Sequence, residues 1–131
     1  MSQPVRILLV EDDEDDITFF ELALKKQAIA TQLTTLTDGD QVMPYLNDAL
    51  DHPDLLVLDL NLPKLPGRDV LTQIKQSPAS QAIPVVILST SSAQEDSDFC
   101  IANGAARFLT KPTSLAILSN MLAEVLDVKV K

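Results

Sequence analysis

The sequence predicts an α/β fold, a doubly wound parallel β-sheet with helices on both faces. Short apolar runs rich in branched residues recur along the chain, and amphipathic helical patterns fill the gaps between them. Each run ends in a polar cluster. Runs without polar alternation mark strands buried on both faces, as parallel strands are. Five strand–helix units in alternation then imply a parallel sheet covered on both faces by helices.

The clearest strands are Val5–Val10, Leu55–Leu58 and residues 85–88, with weaker candidates at 32–36 and 106–109. Ile17, Phe20, Ala23 and Leu24 share one face of a first helix. Val42, Leu46 and Leu50 recur in a second, where Pro44 near the first turn is tolerated. Val70, Leu71 and Ile74 mark a third. Ser92 followed by Glu95 has capping-box spacing and predicts the start of a fourth, which should stop at a left-handed Asn103-Gly104 cap. Leu115, Leu118, Leu122 and Val125 mark a fifth.

A chain of 131 residues with 46% apolar and 22% charged side chains suits one domain, spanning 1–131. Its 19 acidic and 10 basic residues leave a formal charge of -9, which repels a phosphate backbone and argues against nucleic-acid binding. Cys100 is the only cysteine, so no intrachain disulfide forms and a reducing, cytoplasmic setting is expected. His52, the only histidine, reads as an exposed residue before Pro53 and excludes a His-rich metal site. The opening apolar run is too short for a signal peptide, and no later run approaches membrane-spanning length.

In such sheets function collects at the carboxyl ends of the strands. There the chain offers Glu11 and Asp12, then Asp59, then the hydroxyls of Ser89 and Thr90, then Lys111. Asp13 to Asp16 read as an acidic helix start, favoured by the helix dipole, and Thr90 as a loop hydroxyl. Clustered carboxylates raise each other's pKa unless a cation sits among them. An all-oxygen ligand set selects a hard ion such as Mg²⁺. A carboxylate so placed can attack phosphorus, with the metal, Lys111 and Ser89 stabilising charge on the transferring oxygens.

With ILLVEDD, LLVLDLNLPKLPG, IPVVILSTSS and GAARFLTKP in that order, nearly the whole chain resembles the CheY-like receiver domain of bacterial two-component response regulators. The resemblance implies a flavodoxin-like sheet with strand order 2-1-3-4-5. It implies that Asp59 is the phosphoryl acceptor, that Asp12 ligates Mg²⁺ directly and Glu11 largely through water, and that Asn61 gives its backbone carbonyl. It makes Ser89 the switch hydroxyl, Lys111 the phosphoryl-binding lysine and Phe108 the aromatic switch, although Phe108 reads equally well as a core aromatic. It also implies a cis bond before Pro112. Thr113 departs from the phenylalanine common after Lys-Pro, which loses an apolar anchor near the partner-binding face.

Phosphorylation is then expected to draw in Ser89, free space for Phe108 and reshape the face of the fourth helix, fifth strand and fifth helix. No output domain is read after the fifth helix, so the expected partners are a histidine kinase, a downstream protein target and a second copy of the chain. A contiguous patch of Ile117, Met121 and Val128 would serve the last of these. The sequence also resembles small stand-alone receivers that serve bacterial phytochrome-type kinases.

Rival readings are an aspartate-nucleophile phosphatase of the haloacid-dehalogenase type, a flavodoxin-like cofactor binder and a receiver that only binds partners. The first needs its nucleophile after the first strand, where Glu11-Asp12-Asp13 stands instead. The second needs a phosphate-cradling loop, and the chain has only 3 glycines. The third leaves the acid pair, Asp59, Ser89 and Lys111 without a purpose.

Overall fold

The computed structural model describes residues 3–48 and 52–130, with side chains as far as residue 127. Strands β1 (Val5–Val10), β2 (Thr31–Leu36), β3 (Leu55–Leu58), β4 (Val85–Ser89) and β5 (Arg107–Thr110) alternate with helices α1 (Glu14–Lys25), α2 (Val42–Asp48), α3 (Gly67–Gln76), α4 (Gln94–Ala102) and α5 (Leu115–Val130). A short 3₁₀ turn, Gly39–Gln41, leads into α2. All strand pairings are parallel and the sheet order is β2-β1-β3-β4-β5, as expected.

The strands sort their side chains onto two faces because successive residues point to opposite sides. Leu8, Val10, Leu56, Leu58, Val85 and Ile87 pack with Val42 and Leu46 of α2, Val70, Leu71 and Ile74 of α3, and Cys100 of α4. Ile7, Leu9, Leu55, Val57, Val86 and Leu88 pack with Phe20, Ala23 and Leu24 of α1 and Leu118, Leu122, Val125 and Leu126 of α5. The helical stripes predicted for these helices are therefore the packed ones. Leu50, placed in the second stripe, lies outside the described residues.

Three local expectations need correction. Ser92 does not cap α4; the cap position is Ala93, without a side-chain bond. The Ser91 hydroxyl instead turns the chain just ahead of the helix, accepting from the Ala93 amide at 3.2 Å. His52 is half-buried rather than exposed, its Nε2 bonding the Leu46 carbonyl at 3.0 Å. And the Lys111–Pro112 peptide is trans, as are the other described peptides. Trans is the lower-energy isomer, and the lysine reaches the strand-end carboxylates with it. The end of α4 is as predicted: Gly104 has φ 100°, and the amides of Gly104 and Ala105 bond back to Ile101 and Cys100.

Among the described residues no helix is long and apolar enough to cross a membrane.

Candidate functional site

The strand ends converge because β1, β3, β4 and β5 are adjacent and parallel, so their carboxyl ends share one edge. Backbone ladders hold the functional residues just past those ends. Asp59 donates its amide to Val10 at 3.1 Å, Glu11 to Leu36 at 3.0 Å and Lys111 to Ser89 at 2.7 Å.

Asp59 is only 5% exposed and sits at the lip of a fully buried strand. Its loop is tightly folded. Leu60 and Leu62 are buried, the Asn61 amide donates to Asp59 Oδ1 at 3.2 Å, and Lys64 takes φ 68° where the Leu65 amide turns back to Pro63. Gly67 closes the loop by donating to Leu60. A Cβ at Gly67 would lie 2.2 Å from the Asp59 carbonyl oxygen, so the acceptor loop needs glycine there.

Glu11, Asp12 and Asp59 each offer a carboxylate oxygen, and these oxygens lie within 4.8 Å of one another. Asp12 is exposed and the other two are buried. Burial pushes the Glu11 carboxyl up to about 7 against the hydrogen bond from Lys111, and the charge of Asp59 adds to the rise. Such crowding fits a hard divalent cation, since the donors are all oxygens and their mutual repulsion is what a cation removes.

Lys111 reaches into this group. Its Nζ donates to Glu11 at 2.6 Å, to Asp16 at 2.8 Å and to Asp59 at 3.3 Å. Burial works against the ammonium, but the bonds to Asp16 and Glu11 and the charge of Asp59 outweigh it and raise its pKa. Asp16 is thus a site residue that its sequence reading as part of a helix start misses. Its neighbour Asp13 fits that reading, capping α1 through the amides of Asp15 and Asp16. No periodicity argument separates the two, because a run of acids satisfies the helix dipole at every position.

Ser89 is fully buried beside the group, and its Oγ accepts from the Ser91 amide at 3.2 Å. Ser91 ties this loop outward: its hydroxyl donates to Asp96 of α4, and its carbonyl accepts from Thr110 of β5. Asp96 in turn pairs with Arg68 of α3, whose guanidinium lies 4.4 Å from the centre of the Phe99 ring. Thr90 is exposed, as a loop hydroxyl should be. Phe108 is half-buried against the core on the α2, α3 and α4 side.

A parallel sheet of this order carries acids, a hydroxyl and a lysine at one edge. Residues 7–123 match the response regulator receiver domain. The chain belongs to that family. It is 39% identical over 126 residues to response regulator Rcp1 of Synechocystis sp., covering 92% of this chain and 86% of that protein. It is 34% identical over 128 residues to FilR2, a probable methanogenesis regulatory protein of Methanothrix harundinacea, covering 95% and 83%. Among solved structures, the phosphorylated cyanobacterial phytochrome response regulator RcpA aligns with a TM-score of 0.89 at 34% identity, covering 98% of this chain and 96% of that one. The Mn²⁺-bound form of Rcp1 aligns with a TM-score of 0.83 at 38% identity, covering 93% and 91%. The receiver is therefore a component of two-component signalling, and the phosphatase and flavodoxin-like readings are not favoured.

Proposed function

We propose that this receiver accepts a phosphoryl group on Asp59 from a phosphohistidine of a histidine kinase and signals through the resulting change of shape. One observation carries the reading: Asp59 is a buried strand-end carboxylate that shares its cluster with Glu11 and Asp12 and its counter-charge with Lys111. An Asp59 oxygen attacks phosphorus, the P–O bond forms as the P–N bond breaks, and the departing imidazole keeps the electron pair. Glu11, Asp12, Asp59 and the Asn61 carbonyl would hold Mg²⁺, which supplies positive charge for the phosphoryl oxygens when bound. Lys111 and the Ser89 hydroxyl bind the remaining phosphoryl oxygens.

To reach the phosphoryl group, Ser89 gives up its bond from the Ser91 amide. The loop after β4 then shifts, and Phe108 turns inward from its half-buried place. The modified face is that of α4, β5 and α5, where Ile101 and Ile117 are exposed. A downstream target or a second copy of the chain reads it, in the cytoplasm. Similarity to RcpA supports a kinase of the phytochrome type. Turnover is limited to self-catalysed phosphotransfer and slow loss of the phosphoryl group.

Acetyl phosphate with Mg²⁺ should label the protein once per chain, and Asp59→Asn should abolish the label. Label that persists in Asp59→Asn overturns the assignment. Steady hydrolysis of unrelated phosphomonoesters would return the phosphatase reading.

A further inference from the structure

Building on the reading of Asp59 as acceptor, we propose that Asp16 is a positioning residue that draws the Lys111 ammonium away from Asp59 and so limits how tightly the phosphoryl group is held. The three contacts of Lys111 are unequal: Glu11 and Asp16 lie at 2.6 and 2.8 Å, whereas Asp59 lies at 3.3 Å. The ammonium therefore rests toward the α1 side of the pocket. Its backbone is fixed by the 2.7 Å bond from the Lys111 amide to Ser89, so only the side chain can redistribute.

Glu11 and Asp16 are different rivals for that ammonium. Glu11 belongs with Asp12 and Asp59 to the group that can hold a cation, and Asp16 does not. Once a cation occupies the group, the Glu11 charge is committed to it. Asp16 then remains as the carboxylate that competes with the phosphoryl oxygens for Lys111. Its competition is durable because α1 fixes it: the Asp16 amide bonds Asp13 Oδ1 at 3.1 Å in a capped first turn. It is also partial, because the Asp16 side chain is 41% exposed against 13% for Lys111, and solvent screens the pair. A half-screened rival weakens the grip of Lys111 without abolishing it.

The test is titration of the full chain with beryllofluoride in saturating Mg²⁺, followed by calorimetry. Asp16→Asn should bind about threefold more tightly than the parent, the size expected of one partly exposed ion pair. Asp16→Glu, which keeps the charge, should bind like the parent. In a Lys111→Met background, titrated over a range extended to saturate the weaker site, Asp16→Asn should change nothing. Unchanged or weaker binding in Asp16→Asn overturns the proposal. So does a gain that survives without Lys111, since Asp16 would then act on the anion directly. A parent protein that binds no beryllofluoride overturns the acceptor reading itself, and this inference with it.

Discussion

Glu11, Asp16 and Asp59 all bond the Lys111 ammonium, yet each is held by a different part of the chain. The lysine is therefore both a counter-charge and a tether between β5, β1, β3 and α1. Lys111→Ala should leave acetyl-phosphate labelling of Asp59 in place while weakening the shape change, measured as the spectral shift between free and beryllofluoride-bound protein by amide NMR. A full-sized shift would contradict the role given to the lysine. Gly67 acts on the same carboxylate through sterics. Because a Cβ there meets the Asp59 carbonyl oxygen at 2.2 Å, Gly67→Ala should cost about 1–3 kcal/mol by denaturant unfolding, as overpacking does. It should also slow labelling, since relief of the clash displaces the acceptor loop. Asp59, Lys111 and the acid pair were legible from strand-end position alone. Asp16 was not, because nothing in an acidic run says which member faces a lysine 95 residues away.

At the scale of elements, the loop after β4 is the joint between the pocket and α4. Ser91 anchors it to Ser89, Asp96 and Thr110, and Arg68 carries the connection on to α3. The Ser91 hydroxyl and the Arg68 guanidinium hold the Asp96 carboxyl below its usual range. A lowered carboxyl contributes stability above its unfolded pKa and loses it as pH falls through the folded value. Arg68→Ala should therefore move the Asp96 titration upward, toward an ordinary carboxylate, when followed by carboxyl carbon NMR. Hydrogen exchange at residues 91–93 should quicken in the same variant. Identical exchange rates would mean that the bridge does not restrain the loop. The sequence placed α4 but assigned its start to Ser92, because capping-box spacing ignores the competing turn that Ser91 makes. Strand strength was legible for a similar local reason. The central strands β3 and β4 are buried throughout and read clearly, while edge strands β2 and β5 are partly exposed, carry polar residues and read weakly.

For the whole molecule, the carboxylate cluster is a source of repulsion that a bound cation relieves, so Mg²⁺ should stabilise the fold. At a concentration near 100 times its dissociation constant the gain is about 2.7 kcal/mol. It should appear as a rise in melting temperature that Asp12→Asn largely removes. An equal rise in that variant would place the cation elsewhere. The layers themselves rest on the sheet: Leu58 is fully buried at its centre, and Leu58→Ala should cost about 2–5 kcal/mol in denaturant unfolding.

By itself the sequence determined the α/β class, the extents of the strands to within about a residue or two, the helical faces that pack and the edge at which the chemistry gathers. These follow from periodicity and from polar residues that end apolar runs, and both are local properties of the chain. Tertiary structure decided what no local pattern contains. Lys111 meets Glu11 and Asp59 because β5 ends at the same sheet edge as β1 and β3. Asp16 joins the pocket because α1 packs on the α5 face, beside the end of β1. Arg68 meets Asp96 because α3 and α4 cover the same side of the sheet. Each is a meeting of groups remote in sequence, and only the order and handedness of the crossovers brings them within bonding distance.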